Sequence, residues 1–344
     1  MFKSLVEREL FHLSDGDRMS REELVEIHDQ PWFPKFLRDL VTDALQTLWD
    51  FSNSYKPILP LLRNALARAG TREVLDLCSG GGGPWFRLVR DFESDQNFPI
   101  SVCLTDKYPN QEAFQRAFSG SNSRIRFDPR PVQATDVPAD LGGFRTMFSS
   151  FHHFRATDAR RVLADAVERS KGIAIFETAR REPRIMLTIC IIPFLILFLT
   201  PRIRPFRWSR VLWTYVLPVV PLVLWFDGWI SCLRSYSHEE LNELVRSLPE
   251  ESYRWELGTQ RDGFLPVTYL IGYLASSPDP LETRNLGPTV RHKKDGEVGL
   301  LFWNLDEKVM IRRQSSDHYC GLPLLRLTLE RACALFRTHN SAPV

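Results

Sequence analysis

A run of four glycines, Gly80–Gly83, is the feature of this 344-residue sequence best suited to chemistry. It follows a short apolar stretch that contains Val74 and Asp76, and Pro84 and Trp85 come directly after it. Glycines between a strand and a helix let the backbone approach a ligand closely, and the first amides of the helix are free to donate. Pro84 suits the first helical turn. The pattern predicts a nucleotide-like ligand at a strand–loop–helix junction.

Two familiar phosphate-binding motifs do not fit this glycine run. A dinucleotide fingerprint needs Gly or Ala at its sixth position, which Trp85 or Phe86 occupies here, depending on where the count begins. A P-loop needs Lys and then Ser or Thr after the glycines, but Pro84 and Trp85 follow Gly83. The alternative is a loop in which the glycines only allow the chain to turn and do not bind a ligand. The coincidence of strand, glycines and helix disfavours it.

The segment instead resembles motif I of the class I S-adenosylmethionine-dependent methyltransferases, which reads acidic-x-Gly-x-Gly-x-Gly. Asp76, Gly80 and Gly82 match the motif, and Cys78 stands where the family has its first glycine. The resemblance covers about residues 25 to 275. It implies S-adenosylmethionine as cofactor, with these four residues among those that bind it. Asp76 would orient the loop or meet the methionine ammonium group, and a purely structural cap is the alternative.

The resemblance also implies cofactor contacts for three polar residues further along the chain. It places Asp106 on the ribose hydroxyls, a role that suits a carboxylate because it can accept two hydrogen bonds from a diol. It places Asp136 on the adenine amino group and Ser149 beside the methionine sulfur and the substrate. For Asp106 and for Asp136, the alternative is a solvated carboxylate in a loop that contacts no ligand.

Two histidines, His152 and His153, are the candidate catalytic residues. Methyl transfer is an in-line displacement, so the protein mainly supplies proximity and alignment. A base is needed when the nucleophile is a hydroxyl or an unactivated carbon, and imidazole titrates near working pH. The resemblance favours His153, and a structural histidine pair is the alternative. The sequence shows no Asp/Asp/Asn arrangement of the kind that holds a catechol against magnesium, so no metal is expected.

Short apolar runs alternate with helical stretches from residue 73 onward. The runs lie at 74–77, 100–104, 131–134, 145–148 and 173–176, with two more at 253–257 and 268–273. This alternation predicts an α/β fold with a Rossmann-like, doubly wound sheet of seven strands. Apolar spacing predicts helices over 20–69, broken at Pro57 and Pro60. A capping box at residues 237–240 predicts a further helix start.

The sequence predicts three parts. Residues 1–70 form an N-terminal helical cover, 71–276 form the methyltransferase core, and 284–344 form a small C-terminal α+β appendage. The appendage is expected to hold a hairpin (298–303 and 308–312) and a helix near 322–336. Its role stays open between packing on the core, pairing with another chain and recognising a carrier or peptide.

A hydrophobic insertion, residues 180–232, interrupts the core after the fifth strand. Its two apolar runs, 185–200 and 211–226, are each shorter than the roughly 20 residues of a membrane-crossing helix, and a basic, aromatic connector joins them. One hypothesis is a hairpin in one leaflet, with arginines among anionic headgroups. The alternatives are a buried lid and a homodimer interface. An apolar surface of this size needs a cover, which each of the three supplies. All three predict an apolar pocket for the acceptor, because the insertion should border the substrate end of the site.

The overall composition narrows the class of protein. A net charge of +2 and scattered basic clusters do not favour a nucleic-acid binder. Six cysteines without a CxxC pair favour reduced thiols, and the first residues lack the apolar region of a signal peptide. We therefore expect a cytoplasmic protein, with attachment to the inner face of the membrane as the variant that the insertion suggests.

The leading hypothesis is transfer of a methyl group to a lipophilic small molecule, such as a specialised metabolite or a quinone- or lipid-like compound. The alternatives are a membrane-associated lipid methyltransferase, a non-catalytic S-adenosylmethionine-binding assembly protein, and a nicotinamide oxidoreductase. The acceptor atom and the oligomeric state stay open.

Overall fold

The computed structural model describes residues 21–94, 98–248, 253–263 and 265–274, and the backbone of 292–294 and 297–299. The chain divides into two compact units, Met1–Ser277 and Pro278–Val344. The first unit holds every residue of the candidate site.

A seven-stranded sheet forms the centre of the first unit. Its strands are β1 (Glu73–Asp76), β2 (Ser101–Asp106), β3 (Ile125–Pro131), β4 (Phe144–Phe148), β5 (Gly172–Glu177), β6 (Tyr253–Gln260) and β7 (Val267–Leu274). They lie in the order β3-β2-β1-β4-β5-β7-β6, and β7 alone runs antiparallel to its neighbours. The predicted α/β, doubly wound, seven-stranded fold is confirmed. Because β1 lies at the point where the strand order reverses, the loop that follows it opens into a crevice.

Helices cover both faces of the sheet. They are α1 (Lys35–Ser52), α2 (Leu59–Arg68), α3 (Trp85–Ser94), α4 (Gln111–Ser119), α5 (Ala156–Arg169), α6 (Pro183–Ile189), α7 (Ile192–Leu199), α8 (Trp208–Val211), α9 (Val219–Arg234) and α10 (His238–Arg246). Alternate residues of one strand point to opposite layers: Val74 packs with α2 and α3, whereas Leu75 packs with α5 and α10. The capping box predicted for α10 is present, with Ser237 and Glu240 bonded reciprocally.

Strand β3 departs from the prediction. The sequence predicts it at 131–134, but it spans Ile125–Pro131 and ends before Val132. Pro129 and Pro131 argue against a central strand, because proline cannot donate to the sheet. They are tolerated here since β3 is an edge strand whose one partner is β2. This shift changes which residues follow the end of the strand.

Between residues 21 and 70 the chain forms two α-helices, α1 and α2, separated by a 3₁₀ turn at Lys56–Ile58. The predicted break at the prolines is correct, but residues 21–34 are not helical. One face of α1, including Leu40 and Val41, packs against Ile196 and Val223 of the insertion. The helix therefore joins the core to the insertion.

The insertion folds as helices α6 to α9. A buried carboxylate ties it to the rest of the unit: Asp43 accepts from Arg210 of the insertion at 2.9 Å and from Arg116 of α4 at 2.6 Å. By length and composition, the stretch Pro183–Arg202 would suffice to cross a membrane, and Trp208–Val216 with Val219–Arg234 would do so as a pair bent by 65°. Only 28% of the first stretch is buried.

In the second unit, two short strands, β8 (His292–Lys294) and β9 (Glu297–Gly299), pair antiparallel. The predicted hairpin at 298–303 and 308–312 lies outside the described residues except at 298–299. The predicted helix near 322–336 lies outside them altogether.

Candidate active site

The glycine loop between β1 and α3 has the strained backbone that its composition allows. Gly80, Gly82 and Gly83 have φ values of 54°, 105° and 53°. An L-residue with a side chain rarely adopts this left-handed region. Helix α1 lies directly on the loop, since a Cβ at Gly81 would stand 2.7 Å from the carbonyl oxygen of Thr42. The N-terminal cover thus contacts the loop from above.

Cys78 occupies the first position of the loop with a φ of 58°. This conformation explains why a glycine suits the position in the family that the sequence resembles. Burial raises the pKa of the Cys78 thiol well above its ordinary value. Cys78 therefore keeps the loop geometry at a conformational cost and is not a reactive thiolate.

Asp76 at the end of β1 anchors the loop. Its carboxylate accepts from the Ser79 hydroxyl at 2.6 Å and from the Thr146 hydroxyl at 2.7 Å. Burial raises the pKa of Asp76 to about 7, although these hydrogen bonds oppose the shift. Of the two predicted roles, orientation of the loop is the one these contacts support.

Asp106 at the end of β2 closes the other side of the loop. Its two carboxylate oxygens accept from the backbone N–H groups of Gly80 and Tyr108, both at 2.7 Å. Burial raises its pKa. Each oxygen keeps a second lone pair, so the carboxylate can still accept from a ligand hydroxyl in the cleft.

Asp136 is the predicted site residue that the structure places elsewhere. Its side chain is 80% exposed, faces Arg169 at 3.9 Å and is not part of the cleft wall. Gln133, Ala134 and Thr135 line the cleft at this point instead. The error follows from β3, because the strand ends at Pro131 and the turn after it carries Asp136 outward. The predicted adenine contact of Asp136 is not supported.

Ser149 lies where the resemblance implies, in the loop after β4. Its φ is 43°, and its hydroxyl is 2.6 Å from the Tyr55 hydroxyl and 2.9 Å from the Thr178 hydroxyl. Tyr55, Ser149 and Thr178 therefore form a hydrogen-bonded chain from the N-terminal region to the end of β5. Ser149 and Thr178 both border the cleft.

His152 is held in place by Glu177 at the end of β5. One carboxylate oxygen of Glu177 accepts from the backbone N–H groups of Ser150 and Phe151, and the other lies 2.7 Å from His152 Nδ1. The His152 side chain is 2% exposed. This arrangement fixes the loop and makes His152 a positioning residue.

His153 lies at the cleft, with 21% of its side chain exposed, and faces two carboxylates of the N-terminal segment. Nδ1 lies 2.6 Å from Asp29 Oδ2, and Nε2 lies 3.3 Å from Glu26 Oε2. The second oxygen of Glu26 lies 3.4 Å from Nε2 of His152. Glu26 therefore bridges the two predicted catalytic histidines.

A third histidine, His28, completes this group. Its Nδ1 lies 2.7 Å from Asp227 in α9, which also accepts from the backbone N–H groups of Ile27 and His28. Arg234, the last residue of α9, donates to the carbonyl oxygens of His152, His153 and Leu24. The insertion thus holds the N-terminal segment against the histidine loop. We call Glu26, His28, Asp29, His152 and His153 the histidine–carboxylate cluster.

Charges in the cluster reinforce one another. Burial alone would lower the pKa of His152, but Glu177 and Glu26 raise it to about 10. In the same way, Asp29 and Asp227 overcome burial and raise the pKa of His28 to about 9. Burial alone would raise the pKa of Glu26, but the histidines lower it to about 2. Glu26 is therefore ionised at neutral pH, with protonated His28 and His152 among the counter-charges in the cluster.

Sequence reasoning missed Glu26, His28 and Asp227. Signals for them exist: Glu26, His28 and Asp29 fall within four residues, and Asp227 is the single acidic residue between positions 183 and 238. Their contacts span about 125 to 200 positions along the chain. No local pattern links such distant positions.

Three cluster residues also have the donor set of a metal site. The ligand atoms of Glu26, His152 and His153 all lie within 4.8 Å of one another. Carboxylates hold the second ring nitrogen of both histidines, as in many metal centres. Protonated histidines can balance the carboxylate charge at this position without a metal ion. The expectation that no metal is needed stays a prediction.

One cleft of about 700 Å³ connects these parts. The wall includes seven of the predicted site residues, namely Asp76, Cys78, Gly80, Asp106, Ser149, His152 and His153. Gly82 supports the turn of the loop through an N–H bond to the Ser79 carbonyl oxygen at 2.7 Å. The insertion contributes apolar side chains to the lining, namely Ile185, Ile189, Ile192, Leu195 and Leu224. The volume suits a cofactor together with a small acceptor.

The residues at the glycine-loop end fit S-adenosylmethionine. The loop backbone borders the cleft at Gly80, Gly81 and Gly83, so a ligand can approach it closely. Asp106 offers acceptors for a ribose, and Ser149 lines the same cleft. Asp76 supports the loop from beneath.

No protein-family model matches the chain. No curated protein matches it either. Similar solved structures include a putative O-methyltransferase from Nostoc punctiforme (12% identity over 68% of this chain and 60% of that chain, TM-score 0.40), the pyocyanin biosynthetic protein PhzM (14%, 66% and 56%, TM-score 0.41) and the methyltransferase domain of bacterial CtHen1-C (11%, 64% and 98%, TM-score 0.39). The chain spans 55 to 60% of the length of the first solved structures it matches. At these identities the likeness concerns the fold alone.

Proposed function

We propose that this chain, which has the class I methyltransferase fold, transfers the methyl group of S-adenosylmethionine to a lipophilic small molecule. The observation that carries the proposal is the composition of one cleft. The glycine loop and Asp106 form one end, the histidine–carboxylate cluster lies next to Ser149, and the insertion supplies an apolar wall. A cofactor end, a proton-accepting group and an apolar acceptor pocket thus share one cavity.

When bound, S-adenosylmethionine supplies an electrophilic methyl group on a sulfonium. The protein holds the cofactor through Asp106 on the ribose and through the loop backbone at Gly80 and Gly81. Because Asp106 already bonds to the Gly80 N–H, occupation of the ribose site and the loop conformation are linked. These residues align the methyl group and need no chemistry of their own.

Apolar side chains from the insertion select the acceptor. Ile185, Ile192 and Leu224 line the same cleft as the cluster. Burying an apolar acceptor against such side chains is favourable by about 25 cal/mol per Å². A polar acceptor would gain nothing there. The acceptor class we propose is therefore lipophilic, with a single nucleophilic group that reaches His153.

His153 receives the acceptor proton at Nε2. Asp29 accepts from Nδ1–H and so fixes the tautomer in which Nε2 is the basic nitrogen. Glu26 lies 3.3 Å from the same Nε2 and stabilises the imidazolium that forms. His152, locked by Glu177, keeps the loop in register. Together these residues supply general base catalysis.

The decisive experiment incubates the purified chain with S-adenosylmethionine and a panel of phenolic, quinone-like and lipid-like acceptors. Mass spectrometry measures S-adenosylhomocysteine and acceptor products heavier by one methyl group. We expect product with lipophilic acceptors and none with their polar analogues.

Cofactor binding, measured separately by calorimetry, keeps the alternatives apart. Binding without turnover on any acceptor or lipophilic extract would favour the non-catalytic assembly protein. The absence of binding would overturn the cofactor assignment and revive a nicotinamide oxidoreductase.

A further inference from the structure

The outer side of the insertion exposes an unusual amount of apolar surface. Thirteen of the twenty large apolar side chains that stand exposed in the described residues lie between positions 187 and 226. Phe194 and Trp208 are 70% and 77% exposed. Scattered exposed apolar residues are ordinary, but a concentration of them marks a contact surface. We call the exposed side chains of 187–226 the apolar face.

The elements that carry the apolar face pack against one another. Helix α7 contacts α9 and the π-helical turn Leu212–Val216, and the Tyr215 hydroxyl donates to the Leu197 carbonyl oxygen. On the inner side, Ile196, Val223 and Leu224 are buried against α1. These helices are therefore apolar on both sides, whereas a helix on the surface of a soluble domain has one polar side.

Within the segment that carries the apolar face, every charged residue is positive. Residues 183–226 contain five arginines and no aspartate or glutamate. Arg207 pairs with Glu112 and Arg210 with Asp43, which turns both toward the protein. Arg184, Arg202 and Arg204 are exposed, and Arg202 lies over the Phe198 ring at 4.2 Å. Arginine and aromatic side chains beside an apolar surface are typical of proteins that bind anionic bilayers.

This charge pattern separates a bilayer from a second copy of the chain. In a symmetric dimer the apolar face would meet itself, and the exposed arginines of two copies would face each other across a desolvated contact. Anionic headgroups would instead neutralise them. On one side these helices also lie against α1. The helical stretches Trp208–Val216 and Val219–Arg234 meet at a bend of 65°. Both features suit a surface position in one leaflet.

The apolar face reaches the cleft at Ile191. This side chain is 53% exposed and also lines the cleft, beside Ile192 and Leu195. We propose that the apolar face docks on a bilayer with anionic headgroups and that the lipophilic acceptor passes from the bilayer into the cleft at Ile191. The docking surface stands on its own observations, and the route at Ile191 rests on the proposed function.

Flotation of the full chain with vesicles tests the docking, without cofactor or acceptor. Vesicles of phosphatidylcholine containing about one quarter phosphatidylglycerol supply the negative surface. We expect binding to these vesicles, weaker binding to pure phosphatidylcholine, and weakening when the salt rises from about 0.1 M to about 0.5 M. The double variant Phe194→Gln/Trp208→Gln should bind at least about tenfold more weakly.

Phe51→Gln is the matched control, because Phe51 is 58% exposed on α1, outside the apolar face. It should bind vesicles like the natural chain. Thermal unfolding of each variant shows that the fold is retained. No vesicle binding by the natural chain, or equal binding by the double variant, would overturn the proposal. So would a dimer in light scattering that the double variant dissociates, because the face would then pair two copies.

The route at Ile191 has its own test. The double variant should lose methyl transfer to a vesicle-embedded acceptor and keep it for a short-chain, water-soluble analogue of that acceptor. Equal loss on both acceptors would contradict the route. If no acceptor is methylated by any variant, the proposed function fails, whereas the flotation result is unaffected.

Discussion

Asp76 and Glu26 are both buried carboxylates on the wall of one cleft, but their pKa values move in opposite directions. Asp76 bonds to neutral hydroxyl groups, and burial raises its pKa to about 7. Glu26 faces two histidines, which overcome burial and lower its pKa to about 2. The groups that contact a buried carboxylate therefore decide its charge state, and burial sets how strongly these groups act on its pKa.

This difference divides the cleft by task. The glycine-loop end holds carboxylates that bond to hydroxyl and N–H groups, which suits recognition of a polar ligand. The histidine–carboxylate cluster holds ionised carboxylates beside histidines, which suits proton transfer. Breaking one end should therefore change catalysis, and breaking the other should change cofactor binding.

The largest effect is expected for His153→Gln. Removing the group that takes the acceptor proton should lower kcat by about 10²- to 10⁴-fold, as is typical of general base catalysis. Cofactor affinity by calorimetry should stay within about threefold, since His153 belongs to the other end of the cleft. His238→Gln, at the start of α10 and outside the cleft wall, is the matched control. Unchanged kcat in His153→Gln would contradict the proposed base.

Glu26→Gln should come next. It leaves the histidines without the anion that bridges them, and removing one member of a buried ion pair costs about 3 to 5 kcal/mol. Urea unfolding should report a loss of this order in the free energy of unfolding. Glu23→Gln controls for the same change at a half-exposed position of the same segment. Equal stability of both variants would mean that the ion pairs contribute little.

The pH dependence of stability should distinguish the histidines. The pKa of His152 is raised from 6.5 to about 10, so its pairing stabilises the folded chain fully below pH 6.5 and is lost as the pH rises through about 10. The natural chain should lose Tm over this range, and His152→Gln should lose less. Calorimetric scans at stepped pH measure this. Parallel curves for the two proteins would rule out a protonated His152.

Asp106→Asn should weaken binding of S-adenosylmethionine by about tenfold, which corresponds to roughly 1.4 kcal/mol. An amide can accept at one oxygen only and so holds the ribose and the loop less well. Asp136→Asn is a sharp control, because the same change at this exposed aspartate should leave the affinity unaltered. If Asp136→Asn bound S-adenosylmethionine more weakly than Asp106→Asn does, the cofactor would have to lie in a different position from the one proposed.

The smallest effect is expected from chelation. Treatment with EDTA should leave methyl transfer and Tm unchanged, because protonated histidines already balance the carboxylates of the cluster. Metal analysis of the untreated protein should find no stoichiometric divalent ion. A loss of activity restored by added zinc or manganese would instead assign a metal to Glu26, His152 and His153.

What the sequence predicts and what it misses follow from the range of the interactions. The strands and the glycine loop are local patterns, so the fold was predictable, and Asp106 lines the same cleft as the loop. Asp136 failed because two prolines at an edge strand hid the true end of β3. Glu26 and Asp227 were missed because their partners are distant along the chain. A side chain's role at the cluster depends on tertiary packing, which no short window contains.

Asp43 and Asp227 each form a contact between the insertion and the rest of the unit, which limits how the chain can be divided. Arg210 of the insertion neutralises Asp43 of α1, and Asp227 of the insertion fastens His28. Excising residues 183–234 would leave Asp43 without one of its two arginines and His28 without the Asp227 carboxylate, with only Asp29 and Glu26 near it. The insertion thus shares charged contacts with α1 and with the N-terminal segment and is not an independent module. A chain without this segment would need new partners for Asp43 and His28 to stay balanced in charge.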